Sequence, residues 1–152
     1  MINMKNNLMK LLLCLFAFIS ISAAAQTQSN DWTLLKEEQG IKFYYKYADC
    51  DFTDIPDAQW VLLKIENTTD KILFVEWNLY NHFNGVCTLC KNDPNGEAHK
   101  ELKLAANTSM QGDCISSCPK SLRIFSKFIE FKTEDLLTKF EIKDIIITEI
   151  KE

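Results

Sequence analysis

The sequence predicts an all-β protein, folded as an antiparallel β-sandwich of the immunoglobulin- or fibronectin-like kind with seven or eight strands. Short apolar-rich runs recur along the chain at the spacing of sandwich strands, and turn-forming residues separate them. No segment has the longer periodicity of an amphipathic helix. Two stacked antiparallel sheets would bury the apolar faces of such strands.

The first 25 residues have the pattern of a secretory signal peptide. Residues 1–10 carry two lysines and no acid, residues 11–21 are mostly apolar, and Ala23 to Ala25 supply the small residues that signal peptidase accepts. The apolar run is shorter than the ~20 residues that span a bilayer. We therefore predict cleavage after Ala25, a secreted or periplasmic location, and a single domain made of residues 26–152.

The mature chain is acidic. Removing the leader takes away Lys5 and Lys10 and no acid, which changes the formal net charge from −4 to −6. An acidic surface repels phosphate backbones, so we expect no nucleic-acid partner. No later apolar stretch approaches membrane length, so we expect no membrane span after the signal is cleaved.

Four strands are predicted in the first half of the mature chain. They cover residues 32–37, 41–47, 60–66 and 72–80. The first two are joined at Gly40, which indicates a hairpin. The fourth has the clearest alternation, with one apolar face made of Leu73, Val75, Trp77 and Leu79. Such alternation predicts that one face lies in the core and the other is partly solvated.

The second half begins with a polar loop, which runs from the residue after Asn81 to Ala98 and contains a turn cluster at residues 92–96. Further strands are predicted at residues 99–105, 109–114, 121–126 and 140–150. In the first of these, Leu102 and Leu104 face inward. Between the last two strands, Thr133 is placed to cap a single helical turn.

Five cysteines remain in the mature chain: Cys50, Cys87, Cys90, Cys114 and Cys118. If residues 60–66 and 72–80 form a hairpin, the start of the first strand lies beside the end of the second. If residues 99–105 and 109–114 form a second hairpin, this hairpin starts at the same end of the sandwich and returns to it. Strand order therefore predicts that all five sulfur atoms gather at one end of the sandwich.

Structural disulfides are the chemistry that best explains this cluster, because exported domains oxidise their thiols. Five cysteines allow two bridges and leave one thiol free. We expect one of Cys87 and Cys90 to join Cys50 and the other to join Cys114; the spacing leaves open which pairs with which.

Two other chemistries use the same residues. Cys87-x2-Cys90 with Cys114-x3-Cys118 has spacing typical of a zinc site, and His82 and His99 flank the first pair. Dithiol redox chemistry at Cys87 and Cys90 is less favoured, because the sequence after Cys90 cannot form the helix that stabilises a reactive thiolate. We interpret His82 as a solvated loop residue and His99 as a strand-edge residue.

No catalytic motif is present. The chain lacks Gly-x-Ser-x-Gly and a phosphate-binding glycine loop, so we expect no enzymatic activity and no cofactor. In the aromatic run at residues 43–47, Tyr44 points away from Phe43, Tyr45 and Tyr47, which predicts three core rings and one surface ring. Asn67 begins an Asn-x-Thr sequence that matches a glycosylation sequon.

Several segments resemble small secreted β-sandwich proteins of Bacteroidetes-type bacteria, a group with no assigned activity. The similar segments are residues 32–37, 41–50, 60–67, 112–114, 122–126 and 137–142. The resemblance implies a secreted sandwich in which Cys50, Cys87, Cys90 and Cys114 are paired. It leaves Cys118 as the odd thiol.

These observations together predict an exported, disulfide-stabilised β-sandwich that acts as a non-catalytic binding or interaction module. The expected partner is a protein or carbohydrate at the cell envelope. The alternative is a zinc-binding or thiol-redox protein that uses Cys87, Cys90, Cys114 and Cys118.

Overall fold

The computed structural model describes residues 31–53, 55–88, 90, 93–115, 117–131 and 135–151, and these residues form an all-β, antiparallel fold. The strands are β1 (Thr33–Glu38), β2 (Ile41–Phe52), β3 (Ile55–Asn67), β4 (Leu73–Phe83), β5 (Val86–Cys87), β6 (His99–Leu104), β7 (Ser109–Gln111), β8 (Arg123–Phe128) and β9 (Leu137–Glu149). The predicted signal peptide and Thr133 lie outside the described residues.

The all-β prediction is confirmed, but the described residues contain nine strands rather than seven or eight. The additional strand is β5, which lies inside the segment predicted to be a polar loop. It has only two residues, so it carries no periodicity that a sequence pattern could reveal. It forms because β4 continues to Phe83, three residues beyond the predicted end, and offers His82 and Phe83 as pairing partners.

The first sheet is built on the long hairpin of β2 and β3, and it is curled into a half-barrel. The predicted hairpin of β1 and β2 is confirmed, and it places β1 on the outer edge of β2. The other edge of β3 is shared along its length: β8 pairs with residues near its start and β7 with residues near its end.

The second sheet is centred on β4. Strand β9 pairs along almost the whole of one edge of β4, from Leu73 to Phe83. Strands β6 and β5 share the other edge, with β6 beside the first half of β4 and β5 beside its last two residues. The outer surface of this sheet therefore carries alternate residues of β4, flanked by those of β6 and β9.

The predicted pairing of residues 60–66 with 72–80 is wrong, because β3 and β4 belong to different sheets. The predicted hairpin of residues 99–105 and 109–114 is wrong for the same reason: β6 lies in the second sheet and β7 in the first. Both connections cross from one sheet to the other. Strands β2, β3 and β4 still alternate in direction, and so do β6 and β7, so the ends of these strands meet as the prediction required.

Hydrogen bonds of Asn67 connect the two crossovers. Its side chain is completely buried, and its Nδ2 donates to the carbonyl oxygens of Lys71 (2.7 Å) and Ala105 (3.0 Å). Its Oδ1 accepts from the backbone N–H and the hydroxyl of Thr69. A buried amide with both N–H groups engaged is not accessible to a glycosylating enzyme, so in the folded protein the sequon is a structural motif.

The core lies between the two sheets. The predicted apolar face of β4 is confirmed, since Leu73, Val75, Trp77 and Leu79 are all buried. Trp77 meets the edge of the Phe43 ring across the sheets, with a centroid distance of 5.8 Å. In the aromatic run of β2, Phe43 is fully buried and Tyr45 packs against the core, but Tyr47 is 43% exposed, so its predicted core position is wrong.

Two further observations bear on the sequence predictions. Leu104 is buried, and Leu102 packs against the core, as predicted for the inward face of β6. In the described part of the chain, no helix is long and apolar enough to cross a membrane.

Candidate functional site at the cysteine end

Strand direction brings both disulfides to one end of the molecule, where β2 and β4 finish and β3 and β9 begin. We call this the cysteine end. Cys50 lies near the end of β2, and Cys87 lies in β5, directly after the turn that follows β4. Contact between the Phe83 ring of β4 and the Phe125 ring of β8, at a centroid distance of 6.4 Å, joins the two sheets at this end.

The first disulfide links Cys50 to Cys114, whose Cα atoms are 5.2 Å apart. It ties the end of β2 to the loop between β7 and β8. Gly112 starts this loop, and its N–H donates to the carbonyl oxygen of Leu63 at 2.7 Å. A Cβ atom at Gly112 would overlap the carbonyl oxygen of Leu122, so the close approach requires glycine.

The second disulfide links Cys87 to Cys90, with a Cα separation of 5.8 Å. Our expectation that Cys50 and Cys114 each bond to one of these two cysteines is therefore wrong. Cys50 stands on the first sheet, whereas β5 belongs to the second. Because β7 lies in the first sheet and pairs with β3, the loop that follows it brings Cys114 beside Cys50.

Cys118 is the free cysteine of the described residues, in agreement with the odd thiol that the resemblance implied. It is buried in the hydrophobic core, and its Sγ accepts a hydrogen bond from the N–H of Asp113 at 3.4 Å. Arg123 fixes the same loop from β8: its guanidinium donates to the carbonyl oxygens of Ile115 (3.2 Å) and Cys118 (3.3 Å).

The four cysteines of the predicted zinc site do not come together. Among the described residues, the group of possible ligands whose atoms lie within 4.8 Å of one another consists of His82, Cys87 and Cys90. The interpretation of His82 as a loop residue is wrong, because β4 extends past it and pairs it with Cys87. His99 lies at the start of β6, as predicted, and its Nε2 is 3.5 Å from a Glu76 carboxylate oxygen.

Glu141 of β9 connects His82 to two lysines on the outer surface of the second sheet. Its Oε2 lies 3.2 Å from Nε2 of His82 and 3.0 Å from Nζ of Lys139, while its Oε1 lies 3.3 Å from Nζ of Lys143. The hydrogen bond from Lys139, supported by Lys143, lowers the pKa of the Glu141 carboxyl from its ordinary 4.5 to about 2. The carboxylate therefore stays ionised well into the acidic range.

The cysteine end also exposes apolar side chains. Five large apolar residues there are between 45 and 67% exposed: Val86, Ile115, Ile129, Phe131 and Leu136. Backbone hydrogen bonds and ring contacts place these residues at the cysteine end. The N–H of Ile129 donates to the carbonyl oxygen of Asp57 near the start of β3, and the Phe131 ring contacts Phe128.

Beneath these residues lies a connected set of aromatic rings. Trp60 contacts the rings of Phe52 and Phe125, and Phe125 also contacts Phe128. The centroid distances lie between 4.8 and 5.7 Å. The guanidinium of Arg123 lies over the ring of Phe52 at 5.0 Å and over that of Trp60 at 5.9 Å. The same arginine therefore holds the β7–β8 loop and covers the aromatic set.

Arg123, Glu141 and the exposed apolar residues of this end were not among the residues predicted from the sequence. Arg123 is the only arginine in the chain, which is a composition signal that could have directed attention to it. Glu141 gave no such signal, because it is separated from His82 by 59 positions and reaches it only through pairing of β4 with β9.

Comparison with known proteins returned no match. No protein-family model fits the chain, and no curated protein or solved structure is significantly similar to it.

Proposed function

We propose that this protein is an exported, disulfide-stabilised, non-catalytic binding module that holds its partner at the cysteine end. In this proposal the two sheets form an immunoglobulin- or fibronectin-like sandwich. The chain is one of the small secreted proteins of Bacteroidetes-type bacteria that its sequence resembles. Its location is the periplasm or the outside of the cell, where disulfides persist.

The concentration of exposed apolar side chains is the observation that carries the proposal. Five of the nine large hydrophobic residues that are exposed in the described chain lie at the cysteine end: Val86, Ile115, Ile129, Phe131 and Leu136. Single exposed apolar residues are ordinary, but a group of them at one end of a molecule is typical of an interaction surface.

Rigid support beneath the surface strengthens this interpretation. Ile115 follows Cys114, whose disulfide fixes the loop to β2, and Arg123 donates to the carbonyl oxygen of Ile115. A loop that is fixed before binding loses less conformational entropy when a partner docks. The disulfide and the arginine thus supply the preorganisation that a binding surface requires.

A protein partner fits this surface better than a carbohydrate. Sugars stack on flat, exposed aromatic faces, but four of the five exposed residues are aliphatic. Val86, Ile115, Ile129 and Leu136 offer branched side chains that pack into apolar pockets. Phe131 is the one aromatic ring among the five.

Photo-cross-linking in the producing cells tests the proposal. A photoreactive phenylalanine analogue replaces Phe131 in one variant and Ile146 in the other. Ile146 is a matched control, because it is 56% exposed on β9 and Phe131 is 54% exposed. We expect a discrete adduct with a second protein at position 131 and none at position 146. No adduct at 131, equal adducts at both positions, or an adduct of two copies of this chain would overturn the assignment.

Affinity measurements with the partner that cross-linking identifies are the second test of the proposal. Ile115→Asp and Ile129→Asp each place a charge in the proposed contact, and we expect each to weaken binding at least about tenfold, or ~1.4 kcal/mol. Ile146→Asp should leave the affinity unchanged. Binding to glycans that survives Ile115→Asp and Ile129→Asp would contradict a protein-binding surface.

A further inference from the structure

We propose that reduction of the Cys87–Cys90 disulfide converts this corner of the molecule into a Zn²⁺ site, with Cys87, Cys90 and His82 as its protein ligands. This site differs from the one that the cysteine spacing suggests, because its third ligand comes from β4 and neither Cys114 nor Cys118 takes part. It also goes beyond the proposed binding function, which needs no metal.

The geometry of the three residues suits a zinc ion. One ligand atom from each lies within 4.8 Å of the other two. Zinc binds thiolate at about 2.3 Å and imidazole at about 2.0–2.1 Å, which places neighbouring ligands of a tetrahedral site about 3.5–3.8 Å apart. Small side-chain rotations are enough to reach these separations, since the ladder between β4 and β5 already pairs His82 with Cys87.

Glu141 supplies the outer contact that a metal-binding histidine normally has. A zinc-bound imidazole uses one ring nitrogen for the metal and donates the N–H of the other to a carboxylate or carbonyl oxygen, which fixes the orientation of the ring. The Glu141 carboxylate is 3.2 Å from Nε2 of His82. Glu141 is a positioning residue in this proposal, since it contacts the histidine and not the metal.

The Cys87–Cys90 bond is the disulfide that opens first. Cys90 is exposed to solvent, whereas Cys50 of the other bridge is 2% exposed. Cys87 and Cys90 are three positions apart, and Cys50 and Cys114 are 64 apart. Because the stabilisation from a cross-link grows with the length of the closed loop, opening the short ring costs the fold less.

A dithiol is the reductant in this conversion, and electrons and protons balance as follows. The dithiol transfers two electrons and two protons to the Cys87–Cys90 bond and becomes a disulfide, leaving two protein thiols. Zn²⁺ then displaces both thiol protons into solvent and binds the two thiolates and the neutral imidazole of His82. An added small-molecule disulfide reverses the conversion: it accepts two electrons from the two thiolates and, with two protons from solvent, becomes two thiols, while the Cys87–Cys90 bond re-forms and the ion is released. Among the described residues no further Cys, His, Asp or Glu joins this group, so water fills the fourth position.

The test uses the purified mature protein, treated with a mild reductant, freed of it without oxygen, and titrated with Zn²⁺. We expect one Zn²⁺ per chain after reduction, none before it, and release on reoxidation. Mapping of alkylated thiols should show Cys87, Cys90 and Cys118 modified while the Cys50–Cys114 bond stays intact. Zinc bound equally by the oxidised protein, no zinc bound after reduction, or earlier opening of Cys50–Cys114 would overturn the proposal.

Two matched pairs of variants test the ligand set. His82→Asn should weaken zinc binding at least tenfold, and Glu141→Gln should weaken it about 10- to 100-fold. His99→Asn and Glu76→Gln are the controls, because they form a similar pair on the same sheet and should leave the affinity unchanged. Co²⁺ in place of Zn²⁺ should show a thiolate charge-transfer band that Cys90→Ser diminishes. Unchanged affinity in folded His82→Asn would exclude the histidine and overturn the site.

Discussion

Glu141 has three cationic or polar neighbours on the outer surface of the second sheet: Lys139, Lys143 and His82. The hydrogen bond from Lys139 is the largest of the effects that hold the pKa of its carboxyl at about 2. In the unfolded chain this carboxyl has its ordinary pKa of 4.5. Folding is therefore stabilised by the ionised form, and this contribution is fully present above about pH 4.5 and is lost as the pH falls towards 2.

The corresponding prediction concerns acid unfolding of Glu141→Gln. The variant should be less stable than the wild type at pH 6, and the difference should disappear between pH 4.5 and 2 as the wild-type carboxylate becomes protonated. Urea midpoints measured across this range test it. Glu130→Gln, which changes an exposed glutamate beyond β8, is the control and should show no such convergence. A constant difference between wild type and Glu141→Gln from pH 6 to 2 would contradict the proposed ion pairs.

At the scale of the strands, Asn67 determines how the chain passes between the sheets. Its amide bonds the connection from β3 to β4 at Lys71 and the connection from β6 to β7 at Ala105. Removing the amide would leave buried backbone carbonyl oxygens without their donors, and each such loss costs roughly 1–3 kcal/mol.

We therefore expect Asn67→Ala to lower the free energy of unfolding by about 3 kcal/mol, measured by urea denaturation. Asn95→Ala is the control: Asn95 is exposed in the turn before Gly96, and its replacement should change stability by less than about 0.5 kcal/mol. A loss below about 1 kcal/mol in Asn67→Ala would show that the crossovers do not depend on this side chain.

The strands themselves could be predicted from sequence because a half-buried strand leaves an alternating pattern. In β4, Leu73, Val75, Trp77 and Leu79 alternate with more polar positions, and all four are buried. The pairing of strands could not be predicted in the same way. Whether β3 and β4 form a hairpin or cross between sheets depends on contacts such as that of Asn67 with Ala105, which is 38 positions away.

The disulfide pairing escaped prediction for a related reason. The wrongly predicted hairpin of residues 99–105 and 109–114 would have kept β6 and β7 together, and the position of the following loop was inferred from it. In the fold, β7 pairs with β3, and Cys114 therefore meets Cys50. The gathering of both bridges at one end was predicted correctly, because it depends only on the alternating directions of β2, β3 and β4 and of β6 and β7.

At the scale of the whole molecule, the two ends of the sheets differ in how they are closed. The end at Asn67 is closed by hydrogen bonds between short crossovers. The cysteine end is held by two disulfides and Arg123, and it exposes Val86, Ile115, Ile129, Phe131 and Leu136. The binding proposal proceeds from the exposed apolar residues and their covalent support, whereas the zinc proposal proceeds from the closeness of His82, Cys87 and Cys90 at the same end.

Disulfide mapping of the purified protein is the sharpest test of the arrangement at the cysteine end. The purified protein is unfolded without reduction, its free thiols are blocked, and after digestion the linked peptides are identified by mass spectrometry. We expect one peptide pair joined through Cys50 and Cys114, a single peptide closed between Cys87 and Cys90, and an alkylated Cys118. Peptides that join Cys50 to Cys87 or Cys90, or a bridge that includes Cys118, would contradict it.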